Sequence, residues 1–448
     1  ERDDALVVRV RGALARALTV EGGDRAEAAA LREQAIAGAR RLGDPRALGQ
    51  ALVRAYWAKG DASRGEVLAA LTEARDLGAE LGDVELRAEA MGWRTVTLAA
   101  AGRVAEAHAE AAALREAAGR ARQPFMLHAA EQFTSALRLC AGDLDGAEAA
   151  ARRSREWRRA LHEPLADGAF GLQMFAIERE RGTLGSLVPA AVVRAAATDA
   201  GGRWEPGRIA LLAELGLIAD ARAALAALVA SAGADAVPPD ALGLAGATYL
   251  AEVAALVGDL RAAALLERRL APLAGELVVV GHLVACQGAA DRFLGILAAV
   301  GGREDEAEAR LRAALALDRR TGPTWTAHSA LALAELLERR DGDGAEALAL
   351  RREARALAEA HGLGRVVRRL GARAAVPAPA DELPAGLSPR EVVILRRLAD
   401  GRTNREIGAA LVISQHTVAN HVRSILRKTG SANRAEAVSF AHRHGLAP

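Results

Sequence analysis

A glycine recurs about every forty residues through most of this 448-residue chain. It stands at Gly60, Gly102, Gly142, Gly182, Gly216, Gly258, Gly301 or Gly302, and Gly342, at intervals of 42, 40, 40, 34, 42, 43 or 44, and 41 or 40 residues. In six of the eight cases an alanine follows five positions later: Ala107, Ala147, Ala221, Ala263, Ala307 and Ala347. Glycine ends a helix because it enters the left-handed conformation without a Cβ penalty. A small alanine on the next helix then lets the two helices approach closely. A unit repeating at this period cannot bury its apolar face alone and must stack on its neighbours. The expected fold is all-α, with an α-solenoid of helical hairpins over residues 1–373.

Composition agrees with that expectation. Apolar residues make up 51% and aromatics only 3%. The apolar content is mostly Ala, Leu and Val, which favours helix over strand. Val278-Val279-Val280 is the clearest β-branched exception. The hairpin pattern resembles a tetratricopeptide-like (TPR-like) repeat, stretched from about 34 to about 40 residues. Trp57, Trp93, Trp157 and Trp325 read as repeat-core residues, and a ligand role on the concave face is the sharper alternative. Segments 198–206 and 231–240 break the pattern and read as inter-repeat loops. The repeats run out near Gly371. Residues 374–386 hold three prolines and no helical period, which makes them a semi-extended linker.

Charge divides the chain. From Leu387 onward ten Arg or Lys stand against four Asp or Glu, while the preceding 386 residues carry 49 basic and 53 acidic ones. A small basic domain on a mildly acidic body is the footprint of a nucleic-acid reader with a separate sensing part. Cys140 and Cys286 are the two cysteines. They read as buried small hydrophobes in a reducing cytoplasm, with no zinc spacing and no metal expected. No apolar run reaches the length of a membrane span, and no signal peptide is legible. The expected location is the cytoplasm. The chain begins at Glu1 inside a charged helical pattern, as a piece of a longer protein would.

After the linker, Ser388, Pro389 and Glu391 read as an N-cap, a first helical position and a capping box. Ile394, Leu395 and Leu398 give that helix its buried stripe, and Gly401 ends it. A second capping box, Thr403 with Glu406, opens a short helix carrying Ile407 and Leu411. Val412-Ile413-Ser414 makes a turn. Gln415 to about Lys428 forms a third helix with apolar positions Val418, Val422, Ile425 and Leu426. Its other face carries Gln415, His416, Ala419, Asn420, Arg423 and Arg427. Asn433 and Glu436 open a final helix to about His444. Four short helices, the third apolar on one side and cationic or amide-bearing on the other, suit a helix lying in the major groove.

Leu387-Ser388-x-Arg390-Glu391, Gly401-x-Thr403-Asn404-Arg405-Glu406-Ile407, Ile413-Ser414-x-x-Thr417-Val418-x-x-His421, Lys428 and Arg434 together resemble the LuxR-type (NarL- or FixJ-type) helix-turn-helix domain over residues 387–448. The resemblance implies that the third helix reads double-stranded DNA, with Ala419, Asn420 and Arg423 nearest the bases. Thr403, Asn404, Arg405, Gln415, His416, Thr417, Arg427 and Lys428 are the expected phosphate contacts. It also implies a homodimer contact on the fourth helix, around Val438 and Ala441. Two positions depart from the family: Ala419 where Lys or Arg is common, and Gly408 where Ala is common. The first puts the target sequence in doubt; the second loosens the second helix by about 1 kcal/mol.

A helical-repeat region before such a domain is similar to the large MalT-like regulators, but their P-loop ATPase has no counterpart here. Lys59 follows Ala58 and Lys428 follows Arg427, so no Gly-Lys-Ser or Gly-Lys-Thr loop exists. Two lysines among so many arginines also accord with a high-GC bacterial source. No cofactor and no enzymatic activity are expected. His442-Arg443-His444 reads as a favourably charged helix end rather than a metal site, Glu406 as a capping residue rather than a catalytic one, and Arg368-Arg369 as a solvated face. The expected function is a transcriptional regulator whose solenoid senses a small-molecule or protein effector. The alternative is a TPR-like scaffold whose C-terminal domain docks on protein.

Overall fold

The computed structural model describes residues 2–20, 23–54, 56–58, 62–161, 166–185, 204–232, 241–342, 344–372, 384–387, 389–411, 415–444 and 446. The expected turns at Gly60 and at 412–414, the cap Ser388, and most of the segments 198–206, 231–240 and 374–386 lie outside these residues. The chain divides into two compact units. One joins Glu1–Gly182 to Leu225–Val367; the other joins Thr183–Ala224 to Arg368–Pro448.

The first arm of the larger unit holds α1 (Arg2–Val20), α2 (Arg25–Leu42), α3 (Pro45–Arg54), α4 (Arg64–Glu80), α5 (Val84–Ala100), α6 (Val104–Arg120), α7 (Pro124–Cys140), α8 (Leu144–Ala160) and α9 (Ala166–Arg181). Then come α10 (Glu205–Glu214), in the smaller unit, and α11 (Ile218–Ala232), which crosses the boundary. The second arm holds α12 (Ala241–Val257), α13 (Leu260–Leu270), β1 (Leu277–Val280), β2 (Ala285–Ala289), α14 (Ala290–Val300), α15 (Glu304–Thr321), α16 (Pro323–Asp341), α17 (Ala345–Ala360) and α18 (Gly364–Ala372), whose last residues belong to the smaller unit.

Successive helices pack side by side, and α1, α3, α5, α7 and α9 also touch one another in series. The helices therefore form two layers. The inner α5 buries eleven of its seventeen residues. The outer α6 buries one stripe, Val104, Ala107, Ala111, Leu114 and Ala118, at the three- and four-residue spacing of a single helix face. The alanines five places after the repeat glycines, Ala107, Ala147, Ala221, Ala263, Ala307 and Ala347, are all buried.

The repeat is finer than the glycines alone suggest. From α4 to α8 every helix has seventeen residues and every turn three, so the chain reverses every twenty. Gly82, Gly102 and Gly142 close three of these helices in the left-handed conformation, and Arg122 closes the fourth at φ 52°. Arg122 N–H donates to the Gly119 carbonyl and Gln123 N–H to that of Ala118, so the helix end is satisfied at the expense of a side chain in a region that disfavours it.

Val278-Val279-Val280 forms strand, not helix. β1 and β2 pair antiparallel, Val279 opposite Cys286 and Val280 opposite Ala285. This hairpin lies between the arms, against α5, α7 and α9 on one side and α12, α14, α15 and α16 on the other. Beside it runs a buried charge cluster. Glu252 accepts from Arg179 and Arg365 at 2.6 Å and from Arg292 at 2.9 Å. Glu180 meets His328 at 2.6 Å and Arg365 at 3.3 Å. Burial alone would raise the Glu180 carboxyl, but His328 and Arg365 bring it down to about 2. Burial pushes Asp318 up to about 6, even though Ser329 and the Ala289 N–H donate to it.

Two outcomes follow. Arg122→Gly should stabilise the larger unit by about 1 kcal/mol, the scale of a relieved left-handed side chain, read as a higher denaturation midpoint with an unchanged slope. For Asp318, the folded chain between about pH 4 and 6 keeps a proton that the unfolded chain has released, so this group's contribution to stability falls as pH rises through that window. His328, lowered by burial, acts with the opposite sign below its ordinary value. Asp318→Asn isolates the first effect: relative to the parent chain, the variant should gain stability between pH 4 and 6 in urea titrations.

Candidate nucleic-acid interface

The C-terminal part of the smaller unit holds α19 (Pro389–Ala399), α20 (Asn404–Leu411), α21 (Gln415–Thr429) and α22 (Arg434–Arg443). Their shared core is Leu387, Val392, Ile394, Leu395, Leu398, Ile407, Leu411, Val418, Ile425, Ala437, Phe440, Ala441 and Leu446. Each apolar position read from the sequence as a buried stripe falls here or packs against it. Leu217 of the same unit is also buried in this core, with Leu212 and Leu215 beside it. That contact joins residues far apart in sequence and had no local signal.

The second capping box forms as read. Thr403 N–H and Oγ1 both reach Glu406 Oε2, at 2.7 and 2.9 Å, and Glu406 N–H returns to Thr403 Oγ1 at 3.3 Å. The Thr403 backbone hydrogen bond comes first among the causes that hold the Glu406 carboxyl below its ordinary value. Asn433 Oδ1 accepts from Glu436 N–H at 3.0 Å, and Glu436 accepts from Ala432 N–H at 2.8 Å. Arg434, read as a family position, donates to the carbonyls of Arg402 and Leu398 and so ties α22 to the end of α19.

α21 buries Val418 and Ile425 and turns Gln415, His416, Asn420, Arg423 and Arg427 to solvent, with Ala419 half-buried. Arg423 donates to Asn420 Oδ1, which pairs two of the residues expected nearest the bases and leaves the Asn420 amide nitrogen as a donor. Arg402, Thr403 and Arg405 are exposed beside α20, and Asn404 is half-buried. The Thr417 side chain lies outside the described residues.

Two expected site residues make contacts within the domain itself. Lys428 Nζ donates to the buried Glu391 at 2.7 Å, so it holds the end of α21 to α19. Ala441, expected as a dimer contact, is fully buried in the domain's own core, because α22 packs that face on α19. Val438 is half-buried, and the exposed residues of α22 are Ala435, Glu436, Ser439, His442 and Arg443. The carboxylates matter as much as the cations. Glu391 is spent on Lys428, Glu406 and Glu436 are spent on caps, and Asp400 lies 3.6 Å from Arg397. The face of α21 is thus left cationic.

Four short helices with a capped second helix and a half-buried cationic third define a helix-turn-helix fold. Residues 385–441 match the family described as bacterial regulatory proteins, luxR family. These helices are a LuxR-family helix-turn-helix domain. Relatives include the transcriptional regulatory protein LiaR of Bacillus subtilis, 43% identical over 60 residues, 13% of this chain and 28% of that protein. The transcriptional activator PhzR of Pseudomonas fluorescens is 48% identical over 54 residues, 12% of this chain and 22% of that one. SolR of Ralstonia nicotianae, also a transcriptional activator, is 33% identical over 123 residues, 28% of this chain and 50% of that one. The chain thus spans half or less of these relatives.

The Glu391–Lys428 pair gives a test. Lys428→Ala removes the cation that meets the buried Glu391 carboxylate and should destabilise the domain by about 1–3 kcal/mol, seen as faster amide exchange in α19 and α21 of the full chain. Adding Glu391→Gln should recover part of that loss.

Proposed function

We propose that this chain is a DNA-binding transcriptional regulator that lays α21 in the major groove and uses the helical repeats as its sensing region. The observation that carries the reading is the solvent-facing row of Asn420, Arg423 and Arg427 on a helix whose opposite side is core. Arg423 contacts a guanine edge; Asn420, held by Arg423, donates to a base acceptor or a phosphate; Ala419 offers only a methyl. Arg402, Arg405, Gln415, His416 and Arg427, with Thr403, Asn404 and Thr417, meet phosphates. Lys428 acts chiefly within the domain. Pairing on DNA uses Val438 with Ala435, Ser439 and His442.

The scaffold alternative is weaker for a specific reason. Solenoids take peptides on their concave layer, and here that layer holds the chain's own hairpin. His282 at its tip sits 4.8 Å from Trp57 and 4.9 Å from Trp93 by ring centres, and its carbonyl accepts from Gln132 at 2.8 Å. Trp325 is core, while Trp157 lies exposed on the outside, against the expectation of a core residue. We propose a cytoplasmic regulator without enzymatic activity, responding to a small-molecule or protein effector on the solenoid.

The deciding measurement is fluorescence anisotropy against promoter DNA across salt. Affinity should fall steeply as salt rises. Arg423→Ala should cost about 1–3 kcal/mol and relax one base pair, whereas Arg427→Ala should weaken all sequences alike and lower the salt slope by about 1. Equal loss on every single-base operator variant would make Arg423 a phosphate contact, and no salt-dependent binding at all would overturn the reading.

A further inference from the structure

An aromatic box surrounds the tip of the hairpin. Tyr56 and Trp93 stack face to face, 4.5 Å apart and 10° from parallel. Trp57 stands edge-on to both, at 5.7 and 5.2 Å. Two of the chain's five tryptophans and one of its two tyrosines thus meet at one point. His282 fills the space beside them. Its ring lies 4.8 Å from Trp57, 4.9 Å from Trp93 and 5.9 Å from Tyr56, with Nδ1 3.2 Å from Tyr56 Oη. The backbone is bent to put it there: Gly281 and Leu283 on either side are left-handed, at φ 60° and 55°, and a leucine in that region is strained. A tryptophan that only packs looks different in this chain. Trp325 is buried and its N–H donates to Cys140 Sγ at 3.3 Å. Trp57, Trp93 and His282 are each half-buried, so solvent reaches the box, and the Trp57 Nε1 has no hydrogen-bond acceptor among the described residues.

We propose that Tyr56, Trp57 and Trp93 form a small-molecule site for a neutral, planar nitrogen heterocycle, with the His282 side chain as the chain's own occupant and gate. The occupant shows the chemistry. It is an aza-aromatic ring set against π systems, with a ring nitrogen within hydrogen-bond reach of a phenol. Aromatic walls with a few placed polar groups are what small-molecule sites are made of. An acceptor atom on the ligand would also relieve the unpartnered Trp57 N–H, whose burial is a cost as it stands. The charges nearby favour a neutral ring. The Arg16 guanidinium lies 4.9 Å from the Trp57 ring centre and opposes a cation; Glu89, which accepts from Trp93 Nε1 at 3.3 Å, opposes an anion. The His282 carbonyl is held by Gln132 of α7, so a ligand needs to displace the imidazole and not the strand. Its apparent affinity is lowered by the fraction of time that His282 fills the box. That the box is where a regulator takes its effector rests on the function proposed above; its occupancy by a heterocycle does not.

Calorimetry and tryptophan fluorescence of the full chain, without DNA, test this at about pH 8.5, where free imidazole is neutral. His282→Ala should bind imidazole saturably, about tenfold or more tighter than the parent chain, whose own ring competes. Adding Trp93→Leu to His282→Ala should weaken that binding by about tenfold, and adding Tyr56→Phe should weaken it too, both with unchanged circular dichroism. Benzimidazole, which has a larger face to set against Trp57 and Trp93, should bind the parent chain saturably. No saturable binding of benzimidazole to the parent chain means that His282 is a fixed plug and overturns the proposal, whether or not His282→Ala folds. Imidazole binding that is equal in the parent chain and His282→Ala, or indifferent to Trp93→Leu, puts the ligand elsewhere and also overturns it. With no DNA present, each of these outcomes is distinct from a failure of the DNA-binding reading.

Discussion

The larger unit depends on helices that stop after about seventeen residues and reverse within three. A right-handed helix has no reason of its own to end there; Ala-rich sequence would run on. The stop comes from one residue per turn in the left-handed region, where the backbone N–H groups after the helix fold back onto its last carbonyls. At Gly102 and Gly142 that conformation costs nothing sterically. Once the helix length is fixed, the three- and four-residue spacing of alanines and leucines on each outer helix comes into register with the next, and the layers follow.

Layering alone would leave an open groove between the arms. Here the groove is closed by the hairpin and by the cluster of Glu252 with Arg179, Arg292 and Arg365. Buried ion pairs of this kind contribute little net stability against an apolar alternative, yet losing one partner is costly because the other charge remains buried. Their consequence is therefore one of arrangement. Helices α9, α12, α14 and α18 each bring one charged group, and only one mutual placement satisfies all four. The hairpin fits the same logic: Arg292 also donates to the Gln287 carbonyl at 2.8 Å, so the cluster that joins the arms fixes the strand between them.

What could be read in advance was local. Caps, stripes and helix stops follow from residues within four or five positions of one another, and Thr403–Glu406, Asn433–Glu436, Val418 and Ile425 stand as read. The hairpin was visible only as a valine run, because nothing local says what a strand will lie against. Arg122 hid one step of the twenty-residue period, since an arginine gives no sign of a left-handed turn, and the step at Gly82 was passed over by the forty-residue reading. The Glu391–Lys428 pair and the burial of Ala441 are tertiary facts. Glu391 and Ala441 sit where a helical wheel allows exposure, and only the packing of α19 against α21 and α22 buries them.

The charge on the reading face shows how such tertiary facts alter a functional argument. Counted from sequence, the basic excess of the C-terminal domain is spread over all its surfaces. In the folded domain three of its four carboxylates are turned to internal tasks, capping two helices and holding Lys428, while Asn420, Arg423 and Arg427 remain on α21 facing solvent. A carboxylate spent on a cap still contributes its charge, but it does so at a helix N-terminus, where the backbone dipole partly offsets it. The field in front of α21 is thus more positive than the net charge suggests, and the fold itself concentrates it.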